Sequence, residues 1–265
     1  MVCALASVAM GQAINIDFGR DTPPPPTYAG VGLPGVWNSI EATHTSISNP
    51  EFVYNLVDIH GQPTGVTLHQ FGGTELVEAE DPSVTGDHAE LLNDCVVTYS
   101  QNLETCLFVD GLENGEYEVI SYAWMPNHPE ARARVRLDFN PTVVTVGGAW
   151  IGNHRLRTTY AIHTVQVTTG FMGLHSGNSP GGDLEVGAAY NGVQIRRLIH
   201  GVAGDFNDDG EVTLIDYDQF QVCVAGPGVS TRPPGCTVEA FNEGDLDNDN
   251  DVDMADFTEM QGLVD

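Results

Sequence analysis

The run DFNDDGEVTLID, residues 205–216, sets side-chain oxygens at positions 1, 3, 5 and 12 of a twelve-residue loop. They belong to Asp205, Asn207, Asp209 and Asp216. Gly210 at position 6 permits the sharp turn such a loop makes around a hard cation. Glu211 at position 7 offers its backbone carbonyl, and Thr213 at position 9 acts directly or through water. Val212 at position 8 points inward toward a counterpart. That counterpart lies forty residues later, in DLDNDNDVDMAD, residues 245–256. Asp245, Asp247, Asp249 and Asp256 repeat the ligand positions, with Asp251 at position 7 and Asp253 at position 9. Asn250 replaces the glycine, and Asn tolerates a left-handed backbone better than most residues. The second loop holds six Asp in twelve residues, whose mutual repulsion a divalent cation would remove. All-oxygen ligands on a flexible loop suit calcium better than magnesium or zinc, so the expectation is two calcium ions.

Outward from these loops, the charge divides the chain. The 265 residues carry 37 acids and 9 bases, a net charge of -28. All nine bases are Arg. Residues 204–265 alone hold sixteen acids and one base, Arg232. Such a balance repels nucleic acid and anionic membrane surfaces. The expected division is residues 1–13 as a signal-peptide remnant, 14–200 as a large β domain and 204–265 as the calcium module. The apolar run at residues 2–10, followed by Gly11-Gln12-Ala13, has the pattern of a secretory signal and is too short to span a bilayer. Four Cys outside it fall into two local pairs, Cys95 with Cys106 and Cys223 with Cys236. Neither pair has zinc spacing, so disulfides of an oxidising compartment are expected.

Residues 14–200 read as short strands between Gly- and Pro-rich turns. Ile14–Gly19, Thr64–His69, Cys106–Asp110, Glu116–Trp124, Thr142–Val146, Tyr160–Thr168, Phe171–His175 and Gly192–Leu198 fit that reading. The Gly111–Gly115 turn suggests that Cys106–Asp110 and Glu116–Trp124 form a hairpin. Ala131–Leu137 alternates strictly, with Arg132, Arg134 and Arg136 on one face. No long helical pattern interrupts the series, so the fold class is mainly β, a β-sandwich followed by a small helical calcium module.

Two family resemblances attach to these residues. The paired loops, with Asp at position 12 and one helix after each, resemble type I dockerin repeats over Gly204 to Val264. That resemblance implies a calcium-folded double F-hand module of a secreted carbohydrate-active protein, docking onto a cohesin-like or cell-surface partner. Where many cellulosomal dockerins carry Ser-Thr at loop positions 10 and 11, this chain has Leu214-Ile215 and Met254-Ala255. Those apolar residues either form an exposed docking patch or pack inside. The opening Ile14–Gly19 strand, Gly115–Val119 and the closing Asn191–Ile195 resemble galactose-binding-like jelly-roll domains of secreted bacterial proteins, carbohydrate-binding modules among them. That likeness implies a polysaccharide ligand.

For such a ligand, Trp124 and Trp150 are candidate stacking platforms, as are Trp37 and Tyr122. The Arg132, Arg134 and Arg136 face suits carboxylate or sulfate groups, unless it is paired with acids across the sheet. No HExxH, GxSxG, P-loop or Rossmann glycine pattern is present, so no catalytic residue is assigned. The expectation is a secreted, non-catalytic protein with a docking module and a carbohydrate-binding sandwich. The alternatives are a polysaccharide lyase or glycoside hydrolase on the same scaffold, and a surface-adhesion protein recognising protein.

Overall fold

The computed structural model describes residues 12–19, 22–40, 52–71, 75–79, 81–99, 104–179, 187–198, 203–207 and 212–263. Most of the expected signal segment and, of the expected boundary at residues 200–204, residues 200–202 lie outside these. The chain separates into two compact units, one spanning Gln12–Arg196 and one containing Arg197–Asp265.

In the first unit the strands in chain order are β1 (Ala13–Phe18), β2 (Trp37–Ile40), β3 (Phe52–Val57), β4 (Pro63–Phe71) and β5 (Glu75–Glu78). After helix α1 (Asp87–Leu92) come β6 (Asp94–Thr98), β7 (Glu104–Asp110), β8 (Gly115–Tyr122), β9 (Ala133–Leu137) and β10 (Val144–Val146). They are followed by β11 (Tyr160–Val167), β12 (Phe171–Asn178), β13 (Ala188–Tyr190) and β14 (Gly192–Leu198). They build a five-stranded sheet, β11-β8-β14-β1-β2, a six-stranded sheet, β10-β9-β12-β7-β4-β3, and a small sheet, β13-β6-β5. One core joins the sheets: Ile14, Ile16 and Val193 of the five-stranded sheet with Leu68, Leu107, Val135 and Leu174 of the six-stranded one. This is the expected sandwich, and the alternation that signalled it is visible in β7, β9, β10 and β11, whereas β1, β6 and β12 are buried almost throughout. β9 is buried at Ala133, Val135 and Leu137 and half-buried at Arg134 and Arg136.

Two local expectations are corrected. β7 and β8 do not form a hairpin: β7 pairs with β4 and β12, while β8 belongs to the other sheet beside β11 and β14. The glycine-rich turn between them carries the chain from one layer to the other. Cys95 and Cys106 are both free thiols. Cys95 is buried in β6 of the small sheet among Val97, Met125 and Ala189, whereas Cys106 sits in β7 opposite His175. Their strands put them in different layers, so nearness in sequence does not bring them together.

The second unit holds α2 (Leu214–Cys223), α3 (Val238–Gly244) and α4 (Met254–Gln261). Thr213 and Asp253 cap α2 and α4 identically, each in a capping box completed by Asp216 or Asp256. The Cys223–Cys236 disulfide forms as expected and closes the segment from α2 to α3. Val212 and Val252 lie in one core with Phe206, Phe220, Phe241 and Met260.

Candidate functional sites

Each acidic loop is shaped by its own backbone. Asp216 accepts from the amides of Asn207 at 3.1 Å and Thr213 at 2.8 Å. Asp256 repeats this with Asp247 at 3.2 Å and Asp253 at 2.7 Å, and also accepts from Leu246 at 2.7 Å. Asp245 accepts from Asp249 and Asn250 amides at 2.9 and 3.0 Å, and Asn250 takes the left-handed φ of 72° that its position requires. Carboxylate oxygens of Asp245, Asp247 and Asp249 gather within 4.8 Å of one another, as do those of Asp251, Asp253 and Asp256. Partial desolvation, then the charges of Asp249 and Asp256, raise the Asp247 carboxyl above its ordinary value.

The donor chemistry fits a hard divalent cation. Asp205, Asp216, Asp251 and Asp256 are buried carboxylates, and one Asp251 oxygen is buried with no hydrogen-bond partner. In the first loop, Asp209 and Glu211 lie outside the described residues. Leu214 and Met254 are not packed inside: they are 78% and 64% exposed, and Ile215 is 50% exposed. Leu214 lines a cavity of about 370 Å³ with Tyr217, Phe257, Met260 and Gln261. The rings of Tyr217 and Phe257, which occupy the same place in the two repeats, stand 5.2 Å apart.

In the sandwich, three of the four candidate stacking aromatics are consumed by packing. Trp37, Tyr122 and Trp124 are buried. Trp124 donates to the Gly148 carbonyl at 2.8 Å, and Tyr122 donates to Gln194 at 2.6 Å. Trp150 alone is partly buried, against the same cluster. Around it the fold gathers groups that the sequence reading did not connect. The Tyr28 hydroxyl lies 2.8 Å from His88 Nδ1 and 2.6 Å from His154 Nε2, and those two nitrogens are 3.3 Å apart. Separations of 60 to 126 residues leave no sequence signal for this meeting.

Burial, then the charge of His88, lowers His154 from 6.5 to about 4, and burial also lowers His88. Neutral imidazoles in the folded state set the sign of the pH dependence. The unfolded chain binds the extra proton below pH 6.5, so this stability is complete above 6.5 and lost as pH falls toward 4. Denaturant titrations at pH 7 and pH 4.5 are expected to differ by a few kcal/mol, with His154→Gln reducing the difference.

The Arg row faces outward but is not a free cationic stripe. Arg136 donates to Glu104 at 2.6 and 2.9 Å and to Asp138 at 3.3 Å. Arg132 donates to the carbonyls of Pro129 and Ala131. Arg134 is half-buried on the same face, beside Gly177 of β12.

No protein-family profile matches the sequence, and no curated protein matches it. Solved structures that share part of the fold include the exo-β-1,3-galactanase of Phanerochaete chrysosporium, at 11% identity and TM-score 0.31. It aligns over 46% of this chain and 26% of its own. The β-glucuronidase 2 of Bacteroides uniformis is 10% identical at TM-score 0.39, over 70% of this chain and 18% of its own. The CBM36-1 domain of a multidomain xylanase from the Trinervitermes trinervoides hindgut metagenome is 14% identical at TM-score 0.30, over 49% of this chain and 95% of its own. This chain therefore spans about a quarter or less of the two enzymes. Likenesses at this level concern the fold and say nothing of what this chain binds.

Proposed function

We propose that this is a secreted two-part protein that does not depolymerise polysaccharide. A calcium-folded, dockerin-like module attaches it to a cohesin-like or cell-surface partner, and its sandwich binds polysaccharide. The observation that carries the reading is the in-register repeat of two acidic loops in the sequence, the second with its carboxylates gathered, beside exposed apolar residues at corresponding positions, Leu214 and Met254. One calcium ion belongs with Asp205, Asn207, Asp209, Glu211, Thr213 and Asp216. The other belongs with Asp245, Asp247, Asp249, Asp251, Asp253 and Asp256. Bound calcium neutralises the crowded carboxylates and fixes the start of α2 and α4, and with them the apolar face. Secretion agrees with the Cys223–Cys236 disulfide, and among the described residues no helix is long and apolar enough to cross a membrane.

For the sandwich, the partly exposed Trp150 and the outward Arg134 are the groups left to meet a sugar. Trp150 would stack on a pyranose face, and Arg134 would suit a carboxylate or sulfate substituent. Affinity electrophoresis of the intact chain through gels cast with neutral and acidic polysaccharides tests this half. Retardation in an acidic polymer, weakened by Trp150→Ala or Arg134→Ala, is expected. A cleared zone would instead favour the lyase or hydrolase alternative. Unchanged mobility in every polymer would remove the carbohydrate half.

A further inference from the structure

The outer face of the six-stranded sheet carries a second arrangement, one the docking and sugar readings do not use. Three adjacent strands meet there: Cys106 on β7, His175 on β12 and Arg136 on β9, with Asp138 just beyond the end of β9. His175 Nε2 is 3.0 Å from Asp138 Oδ1, and His175 Nδ1 is 3.3 Å from Cys106 Sγ. A carboxylate only accepts, so the Asp138 contact puts the ring proton on Nε2. Nδ1 then holds the lone pair, and the Cys106 thiol must be the donor. The other acceptor in reach of that hydrogen is the Glu104 carbonyl, at a longer 3.5 Å. The direction of the chain is thus fixed: thiol to imidazole to carboxylate, the order of a nucleophile, its base and the group that orients the base.

The surroundings hold this geometry. A Cβ at Gly173 would lie 2.1 Å from Asp138 Oδ2, so a side chain there would push Asp138 off His175. A Cβ at Gly177 would lie 2.7 Å from Glu104 Cγ. Arg136 bonds both Glu104 and Asp138 and keeps a carboxylate on each side of the ring. Phe108 and Phe171 stack at 5.2 Å, with Phe108 edge-on to His175 at 6.1 Å, an apolar floor beside the sulfur. His175 is buried while Cys106 remains partly exposed. The charged groups packed around the imidazole are Glu104 from β7, Arg136 from β9 and Asp138 from the turn after β9. Burial, then Arg136, lowers His175, and burial, then Glu104, raises Cys106. At rest the pair is a neutral thiol beside a neutral base.

We propose that Cys106 is a nucleophile for acyl transfer from carboxylic esters, with His175 as its general base and Asp138 as the positioning residue. Sγ bonds to the ester carbonyl carbon as the thiol proton passes to His175 Nδ1. The C–O bond breaks, and the leaving alcohol takes that proton. Water then attacks the thioester, His175 removes its proton and returns it to Sγ, and a carboxylic acid departs. The net reaction is ester plus water to acid plus alcohol, with no further reactant.

The intact chain, with p-nitrophenyl acetate as probe, tests this at neutral pH. Acetylation is followed by peptide mass spectrometry, which separates Cys106 from Cys3 and Cys95. A thiol that burial merely raises would react more slowly than N-acetylcysteine. The proposal expects Cys106 to react on the order of 100-fold faster than N-acetylcysteine. His175→Gln is expected to remove most of that advantage. Asp138→Asn should lower the rate and move the pH at which it falls, a change that a purely structural role would not cause. Melting curves establish that both variants are folded. The wild-type comparison with N-acetylcysteine needs no variant. A Cys106 no more reactive than N-acetylcysteine, or a folded His175→Gln chain as reactive as wild type, would overturn the proposal.

Discussion

Withdrawing calcium from the intact chain is expected to abolish the unfolding transition of the Arg197–Asp265 unit and leave that of the sandwich. The core of that unit is small, with Phe206, Val212, Phe220, Phe241, Val252 and Met260 as its main apolar members. Against it stand two acidic loops, and the second gathers its carboxylates in two groups, Asp245, Asp247 and Asp249, and Asp251, Asp253 and Asp256. Free calcium at about a thousand times Kd stabilises the folded state by roughly 4 kcal/mol per site. That is a large share of the stability of any small domain. Scanning calorimetry with excess calcium and then with chelator should show the C-terminal transition disappear and return when calcium is restored. Circular dichroism should follow it through the signal of α2, α3 and α4. A C-terminal transition unmoved by chelator would mean that the loops fold without an ion.

Trp124→Ala is expected to cost about 3–5 kcal/mol, the range for deleting a buried large aromatic side chain. Trp124 is 2% exposed and packs in a cluster with Tyr28, Trp37, Tyr122 and Leu92, with the Trp150 ring tilted beside it. Its removal would leave a cavity and strip the Gly148 carbonyl of the indole donor. The backbone amide of Trp124 would still reach Asn191, so the strand end should hold while the cluster loosens. Urea unfolding of the sandwich measures the loss. A cost below about 1 kcal/mol would mean that the indole does not fill the core as described.

What could be read in the sequence was what is written locally. The twelve-residue loops show because their ligand positions, caps and turn residue all fall within one short run. The Ala131–Leu137 strand shows because alternation has a period of two. The acidic loops that lead into short helices and the sandwich class were therefore both legible. Sheet membership was not. The turn at Gly111–Gly115 says that the chain changes direction, yet only the long-range pairing of β7 with β4 and β12 decides which sheet it leaves. The same limit explains the cysteines. An eleven-residue spacing suggested a bridge, but the partner of Cys106 is His175, sixty-nine residues away. Aromatic residues suggested stacking platforms because the sequence does not distinguish a buried Trp124 from a half-buried Trp150. Likewise the exposure of Leu214 and Met254, which turns an acidic module into one with an apolar face, depends on how α2 and α4 pack.

On the proposed function, the C-terminal module takes two calcium ions through paired Asp loops. Isothermal titration of the calcium-stripped intact chain tests it most directly, with Asp216→Ala and Asp256→Ala alongside. The expected result is two ions per wild-type chain and one in each variant. A wild-type chain that binds no calcium, or variants that keep both ions, would contradict it.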